Sequence, residues 1–155
     1  MAKNENKSLY EFRVRRVRRS FAREGRVTNP ESVLHWLVRH CEELDRETFF
    51  AVYLDVQGKV IGYEVIAVGG IASVEVCPRE VFRGALITGA FAVIVAHNHP
   101  SGNPEHSDAD VELARRMQSA GALIGVEVLD SIVLASGQFS SLAETMNAPG
   151  FQVAT

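Results

Sequence analysis

Two histidines and an aspartate in the second half of the chain have the side-chain types and the spacing of a metal site. His97 and His99 are two residues apart and follow a wholly apolar stretch directly. In extended backbone, side chains at positions i and i+2 point to the same side, so both imidazoles can reach one ion. Asp110 lies in the first turn of the next predicted helix, from which its carboxylate can approach the same point.

Three nitrogen and oxygen ligands leave a fourth tetrahedral position open to water, which is typical of a catalytic zinc site. Zinc lowers the pKa of such a water towards ~7, and a nearby carboxylate can then remove its proton. The sequence therefore predicts a Zn²⁺ site at His97, His99 and Asp110, and the chemistry also requires a base nearby.

The segments around these residues predict how they are held. Residues 91–96 are all apolar, the pattern of a strand buried on both faces. A loop with prolines and glycines follows, and Ser107 is placed to cap a helix that reaches about Ala120. Ligands in open α/β folds bind at the carboxyl ends of strands, where this loop begins.

The remaining patterns alternate strands with helices. They predict a frayed segment at 1–9, strands at 10–15, 49–55, 60–68, 71–76, 123–128 and 131–135, helices at 30–44 and 78–89, and a final turn at 142–145. The second and third of these strands form a hairpin around Gln57 and Gly58. The expected fold is one α/β domain, a single mixed sheet flanked by helices.

Composition narrows the class of protein. The chain has 155 residues, 46% of them apolar and 23% charged, which is an ordinary globular mixture. Its two cysteines, Cys41 and Cys77, are too few for a disulfide framework and favour a cytoplasmic protein. No apolar run approaches the roughly 20 residues that span a bilayer, so no membrane association is expected.

Charge is unevenly distributed along the chain. The first 26 residues hold nine basic and three acidic side chains, a formal charge of +6, which leaves −9 for the remainder. The arginine-rich part, from Arg13 to Arg26, is either the exposed face of an edge strand or a weak nucleic-acid contact. The first interpretation is favoured, because nucleic-acid-binding domains are usually basic throughout.

A longer pattern resembles a known family. His97-x-His99-Pro100, six further residues and Ser107-x-x-Asp110 match the signature of the JAB/JAMM (MPN+) metalloproteases. The string that begins His97-Asn-His99-Pro-Ser-Gly resembles the RadC-like branch of that group in particular, as do the segments 47–55, 78–86 and 139–144. The resemblance covers residues 10–155 and implies a JAB/MPN, cytidine-deaminase-like architecture.

The resemblance also implies roles for individual residues. His97, His99 and Asp110 would bind zinc, Ser107 would help to hold the water and stabilise the tetrahedral intermediate, and Glu47 would be the general base. Glu75 and Glu80 are competing candidates for the base, although a solvated carboxylate is the simpler interpretation of each. The implied function is a zinc-dependent peptidase or isopeptidase that acts on a peptide or protein substrate.

Alternatives remain open. His106 stands where the family usually has proline, and Ser131 where it usually has histidine. His106 is either a fourth metal contact or an exposed loop side chain, and the exposed side chain is the favoured interpretation. Ser107 and Asp110 also have the spacing of a helix capping box. The second hypothesis is a DNA-associated accessory protein of RadC type, with a structural or vestigial metal site. A zinc nucleobase deaminase is disfavoured, because H-x-E followed by P-C-x-x-C is absent.

Overall fold

The computed structural model describes residues 44–69 and 76–145, together with His35, Leu37 and Val38. The predicted elements at 1–15, the arginine-rich segment from Arg13 to Arg26, and Glu75 with nearly all of the strand predicted at 71–76 lie outside the described residues. Of the helix predicted at 30–44, His35, Leu37 and Val38 have helical backbone.

The described residues form one mixed five-stranded sheet with three helices, which confirms the predicted α/β class. In chain order the elements are β1 (Thr48–Leu54), β2 (Val60–Val68), α1 (Pro78–Thr88), β3 (Ala92–Asn98), α2 (Asp108–Ile124), β4 (Glu127–Ala135), β5 (Gln138–Ser141) and α3 (Leu142–Thr145). The strand order is β2-β1-β3-β4-β5, with β3 and β4 parallel and the other neighbours antiparallel.

The central strand β3 is buried along its whole length, as its apolar sequence predicts. On one face, Val93 and Val95 pack with Phe82 of α1 and Met117 of α2. On the other face, Ile94 and Ala96 pack with a second apolar cluster that contains Leu37, Phe50, Val52, Leu54 and Ile132. This burial fixes β3 and therefore the position of the loop that begins at its carboxyl end.

The prediction for residues 123–128 is wrong at its start, because α2 continues to Ile124. The helix ends at Gly125, whose φ of 74° is left-handed and which glycine adopts without strain. Leu123 is 88% exposed, so its apolar side chain marks no buried strand. From Glu127 onward, the residues predicted as two closing strands form the single strand β4.

Strand β5 was not predicted from the sequence. It follows a two-residue turn in which Ser136 and Gly137 both have positive φ, 48° and 74°. Such turns match the twist of an antiparallel hairpin, and β4 and β5 pair from Ala135 with Gln138 to Ile132 with Ser141. Within the described part of the chain, no helix has the length and apolar character to cross a membrane.

Candidate metal centre

The two histidines meet at the carboxyl end of β3. His97 is the sixth residue of that strand and is 1% exposed; its ring stacks on Phe49 of β1 at a centroid distance of 6.0 Å. His99 follows the strand, and its backbone N–H donates to the carbonyl of Leu134 in β4. The Nε2 atoms of the two imidazoles lie 3.0 Å apart, as the i, i+2 spacing predicts.

Asp110 approaches the histidines from the first turn of α2. Its Oδ1 lies 3.3 Å from His97 Nε2 and its Oδ2 lies 3.7 Å from His99 Nε2, and the side chain is 3% exposed. Burial alone raises the pKa of Asp110, but hydrogen bonds from His97 and Ser107 outweigh it and hold the pKa well below its usual value. The carboxylate is therefore ionised and faces two nitrogen donors.

Ser107 holds Asp110 in place through a complete capping box. Its backbone N–H and its hydroxyl both donate to Asp110 Oδ2, at 2.7 and 2.6 Å, and the backbone N–H of Asp110 donates to Ser107 Oγ at 3.2 Å. The capping-box interpretation of this spacing is therefore confirmed, and the same contacts that begin α2 also orient the carboxylate. The hydroxyl proton of Ser107 is directed at Asp110, so the structure shows it orienting a candidate ligand.

Glu47 directly precedes β1, which runs antiparallel to β3 and begins beside the histidines, with Phe49 opposite His97. Its carboxylate and ring nitrogens of His97 and His99 lie within 4.8 Å of one another, a group that could hold a metal ion. The competing Glu80 pairs instead with Arg79 and Arg83 in the first half of α1. Of these two glutamates, Glu47 is the one that belongs to this group.

Asn98, which sequence reasoning did not single out, fixes the backbone on both sides of Glu47. The N–H of Thr48 donates to Asn98 Oδ1 at 2.7 Å, and Asn98 Nδ2 donates to the carbonyl of Arg46 at 3.1 Å. Asn98 is 3% exposed, so little solvent competes for these bonds. Its position between the two histidines was the available signal, because alternation directs its side chain to the opposite face of the strand.

The tautomer of His99 follows from its contacts. Its Nδ1 lies 2.8 Å from the carbonyl oxygen of Asn103, which can only accept, so Nδ1 carries the hydrogen. In the neutral ring Nε2 then presents a lone pair to His97 and Asp110. Hydrogen bonding of the second ring nitrogen to a carbonyl is the usual arrangement for a metal-binding histidine.

The donor spacing fits one small tetrahedral cation. Zinc binds nitrogen and oxygen at about 2.0–2.2 Å, so two of its tetrahedral ligands are roughly 3.3–3.5 Å apart. The distances of 3.0, 3.3 and 3.7 Å among His97, His99 and Asp110 surround that range. The lone pair of His99 Nε2, the ionised Asp110 carboxylate and the Nε2 atom of His97 lie around one point and form a donor set that a divalent cation would stabilise.

The two positions that depart from the family pattern are His106, in the loop before α2, and Ser131, in β4. His106 is half-buried with both ring nitrogens buried, so the prediction of an exposed loop side chain is wrong. Burial lowers its pKa, and His97 lowers it further. Ser131 is buried in β4, where its N–H donates to Asp130 Oδ1 at 2.8 Å.

Comparison with known proteins identifies the family of this chain. The model of the RadC-like JAB domain family matches residues 27–147. A UPF0758 protein of Caldanaerobacter subterraneus subsp. tengcongensis is 41% identical over 118 residues, which cover 76% of this chain and 51% of the relative. A UPF0758 protein of Moorella thermoacetica is also 41% identical over 118 residues, covering 76% and 52%.

A third relative extends the match. A UPF0758 protein of Bacillus cereus is 36% identical over 137 residues, 88% of this chain and 61% of the relative. The chain thus spans about half to three-fifths of the length of these curated relatives. The matched range contains Glu47, His97, His99, Ser107 and Asp110.

Proposed function

The chain belongs to the family of RadC-like JAB domains, and from that premise we propose that it is a zinc-dependent hydrolase of peptide or isopeptide bonds. The observation that carries the proposal is the convergence of two imidazole Nε2 atoms and two carboxylates at the end of β3. Zinc bound there would supply Lewis-acid chemistry, which polarises a carbonyl and makes water more acidic.

The two carboxylates are assigned different roles because their surroundings differ. Asp110 is almost fully buried, ionised and fixed by Ser107, which suits a ligand with His97 and His99. Glu47 is half-buried, so solvent and a substrate can reach its side chain. Glu47 is therefore the general base, which removes the proton of the attacking water and later delivers it to the leaving amine.

Ser107 has a role through Asp110 in this proposal. Its hydroxyl proton is directed at Asp110 Oδ2 at 2.6 Å, which favours the carboxylate orientation that faces the histidines. The oxyanion role implied by the family would require that proton to turn towards substrate. A serine that keeps the capping box intact contributes to metal binding first and to turnover through it.

The test combines metal analysis with a screen for hydrolysis. Purified protein is stripped with a chelator and reloaded with zinc, and the bound metal is measured by mass spectrometry. The reloaded protein is then incubated with peptide and isopeptide libraries. Glu47→Gln, Asp110→Asn and a control variant, Glu80→Gln, are treated alike, because Glu80 is a glutamate paired with arginines on α1.

We expect one zinc per chain and turnover in the wild type and in Glu80→Gln. Glu47→Gln should keep the zinc and lose turnover, whereas Asp110→Asn should lose both. Zinc retained by Asp110→Asn but lost from Glu47→Gln would reverse the two assignments. A fully loaded wild type that cleaves no peptide or isopeptide would refute the hydrolase proposal.

The DNA-associated alternative depends on the segment from Arg13 to Arg26, which lies outside the described residues. None of the contacts described above favours it. Salt-dependent DNA binding by the loaded protein, measured alongside the hydrolysis screen, would support that alternative if it is lost when the arginines are replaced by serine.

A further inference from the structure

Five large apolar side chains are exposed at the end of the sheet opposite the candidate metal centre. Leu86 and Ile87 lie in the last turn of α1, Leu123 and Ile124 lie in the last turn of α2, and Phe91 directly precedes β3. Between 42% and 88% of the surface of each residue is exposed. We call these five residues the helix-end patch.

Packing one turn earlier brings the two helix ends together. A Cβ atom added to Gly121 of α2 would lie 3.2 Å from Cζ of Phe82 in α1, so the two helices are in close contact there. Leu86 follows Phe82 by four residues and Ile124 follows Gly121 by three, spacings that place side chains on the same face of a helix. The helix-end patch therefore continues the buried faces of both helices to their exposed ends.

Phe91 joins the helix ends to the sheet. Its N–H donates to the carbonyl of Leu54 at the end of β1, and its own carbonyl accepts the N–H of Glu127 at the start of β4. Phe91 and His97 are six residues apart along extended backbone, so the helix-end patch lies about 20 Å from the candidate metal centre. The two surfaces are thus at opposite ends of β3.

The segments that form the helix-end patch carry no charged side chains. Aspartate, glutamate, lysine and arginine are all absent from residues 84–104 and 118–126, although 23% of the residues in the chain are charged. Neither α1 nor α2 has a basic residue in its last turn, where the helix dipole favours one. The charged residues next to the patch in sequence are Glu127 and Arg83, and Arg83 pairs with two glutamates of its own chain. The patch is therefore suited to an uncharged, apolar partner surface.

The helix-end patch is large enough for a specific contact. Its exposed fractions correspond to about 500 Å² of apolar surface, at roughly 150–200 Å² for each side chain in full. The largest apolar patch on a typical monomeric protein is roughly 300–600 Å² and is often functional. Two such patches in contact would remove about 1,000 Å² from water, which is the total that a specific interface needs.

We propose that the helix-end patch is the contact surface of a dimer formed by two copies of this chain. Residues 27–155 carry a formal charge of −9, so two copies repel each other wherever their charged surfaces meet. At the patch they can meet without placing formal charges opposite one another. Homodimer interfaces are also more apolar than interfaces with transient partners, which use charged groups for recognition. Apolar contact is non-directional, so the same patch can pair with itself across a twofold axis.

The dimer would leave both candidate metal centres accessible. Each centre lies at the far end of β3 from the contact surface, so His97, His99 and Asp110 are neither used nor covered by it. The dimer therefore goes beyond the proposed hydrolysis and does not depend on it. We expect the same association in metal-free and in zinc-loaded protein.

Analytical ultracentrifugation of the 155-residue chain over a concentration series tests the proposal. The wild type should be dimeric at about 10–100 µM and should dissociate on dilution, because interfaces of this modest size usually bind weakly. Metal-free and zinc-loaded samples are run in parallel.

Two variants place a charge in the contact surface. Leu86→Lys and Leu123→Lys should each raise the dissociation constant of the dimer at least about tenfold, because the two copies bring like charges into an apolar interface. A lysine in the last turn of a helix favours the helix, so a loss of the dimer cannot be ascribed to a damaged helix end. Phe139→Lys is the matched control, because Phe139 of β5 is 45% exposed, as Phe91 is, and it should remain dimeric. Circular dichroism establishes that each variant folds.

A wild type that stays monomeric over the whole series would overturn the proposal and leave the proposed function intact. A dimer that both patch variants retain, or that Phe139→Lys loses to the same extent, would also overturn it, because the contact surface would then lie elsewhere. Flotation with phosphatidylcholine vesicles separates a lipid surface from a second copy. A monomeric wild type that floats with the vesicles, while Leu123→Lys does not, would assign the helix-end patch to lipid and refute the dimer.

Discussion

Two aspartates in this protein lie at the centre of polar clusters that differ in the groups facing the carboxylate. Around Asp130, Oδ1 accepts the N–H groups of Ser131 and Ala143, and Oδ2 accepts the hydroxyl of Ser141 at 2.6 Å. Around Asp110, the carboxylate faces two imidazole nitrogens, and His97 Nδ1 is buried with no hydrogen-bond partner among the described residues.

The difference separates a structural cluster from a candidate metal-binding one. The contacts of Asp130 join β4, β5 and the start of α3 through hydrogen donors that the protein itself supplies. In the Asp110 cluster, the ionised carboxylate and the lone pair of His99 Nε2 lie around one point that a cation could occupy. Such arrangements reduce stability without a ligand and persist at functional sites.

The largest expected effect comes from removing a nitrogen donor of the Asp110 cluster. His99→Ala should weaken zinc binding by more than about 100-fold, since even the loss of a residue that orients a ligand costs roughly 10–100-fold. Its side chain is 18% exposed, so the fold should survive. Competition with a chromophoric chelator measures the zinc affinity. If His99→Ala binds zinc as tightly as the wild type, the Asp110 cluster is not the metal site and does not differ from the Asp130 cluster in this respect.

Asp130→Ala should show the converse behaviour. Loss of its three hydrogen bonds should lower the free energy of unfolding by about 2–4 kcal/mol, measured by urea denaturation, with zinc affinity changed little. Asp55→Ala is the matched control, because Asp55 Oδ1 accepts two backbone N–H groups in the exposed turn between β1 and β2. There the loss should be about 1 kcal/mol, and equal losses in both variants would contradict the structural role of Asp130.

Asn98→Ala tests whether the hydrogen bonds of the Asn98 amide to the backbone beside Glu47 support the candidate metal centre. It should cost about 2 kcal/mol of unfolding free energy, because two buried backbone groups lose their partner. It should also lower turnover more than zinc affinity, since the segment that carries Glu47 is released. Asn103→Ala is the control, because the Asn103 side chain contacts only the exposed loop near Glu105. An equal loss of turnover in Asn103→Ala would argue against the role of Asn98 in positioning Glu47.

Ser107→Ala gives the smallest expected change. Loss of the helix cap should cost about 1 kcal/mol of unfolding free energy, and zinc affinity should fall roughly tenfold because Asp110 is less well oriented. Ser107→Thr keeps a hydroxyl and should restore both. Intact zinc affinity with abolished turnover in Ser107→Ala would instead favour the oxyanion role.

Local patterns predicted most of the elements that position the site. The unbroken apolar run before His97 could only be satisfied by a strand buried on both faces, and β3 is buried throughout. Ser107 and Asp110 carried the capping signal that begins α2, and the resemblance identified the family. The roles of His97, His99, Asp110, Glu47 and Ser107 stay predictions until metal and turnover are measured.

Where helix and strand signals overlapped, or where a strand was short, the sequence did not predict the element correctly. Leu123 and Ile124 look like the start of a strand, but nothing stops α2 before Gly125, and helix propagation prevails. Strand β5 is four residues long and is defined by its pairing with β4, a partner that no short window contains.

The sequence by itself determined which side chains could bind a metal, because residue type and i, i+2 spacing are local properties of the chain. Only the tertiary structure decided which carboxylates join them: Glu47 is brought in by β1 pairing antiparallel to β3, and Asp110 by α2 crossing back over the sheet. It also buried both ring nitrogens of His106, which the sequence placed in an exposed loop. Long-range pairing and burial depend on how the whole chain packs, which no single segment encodes.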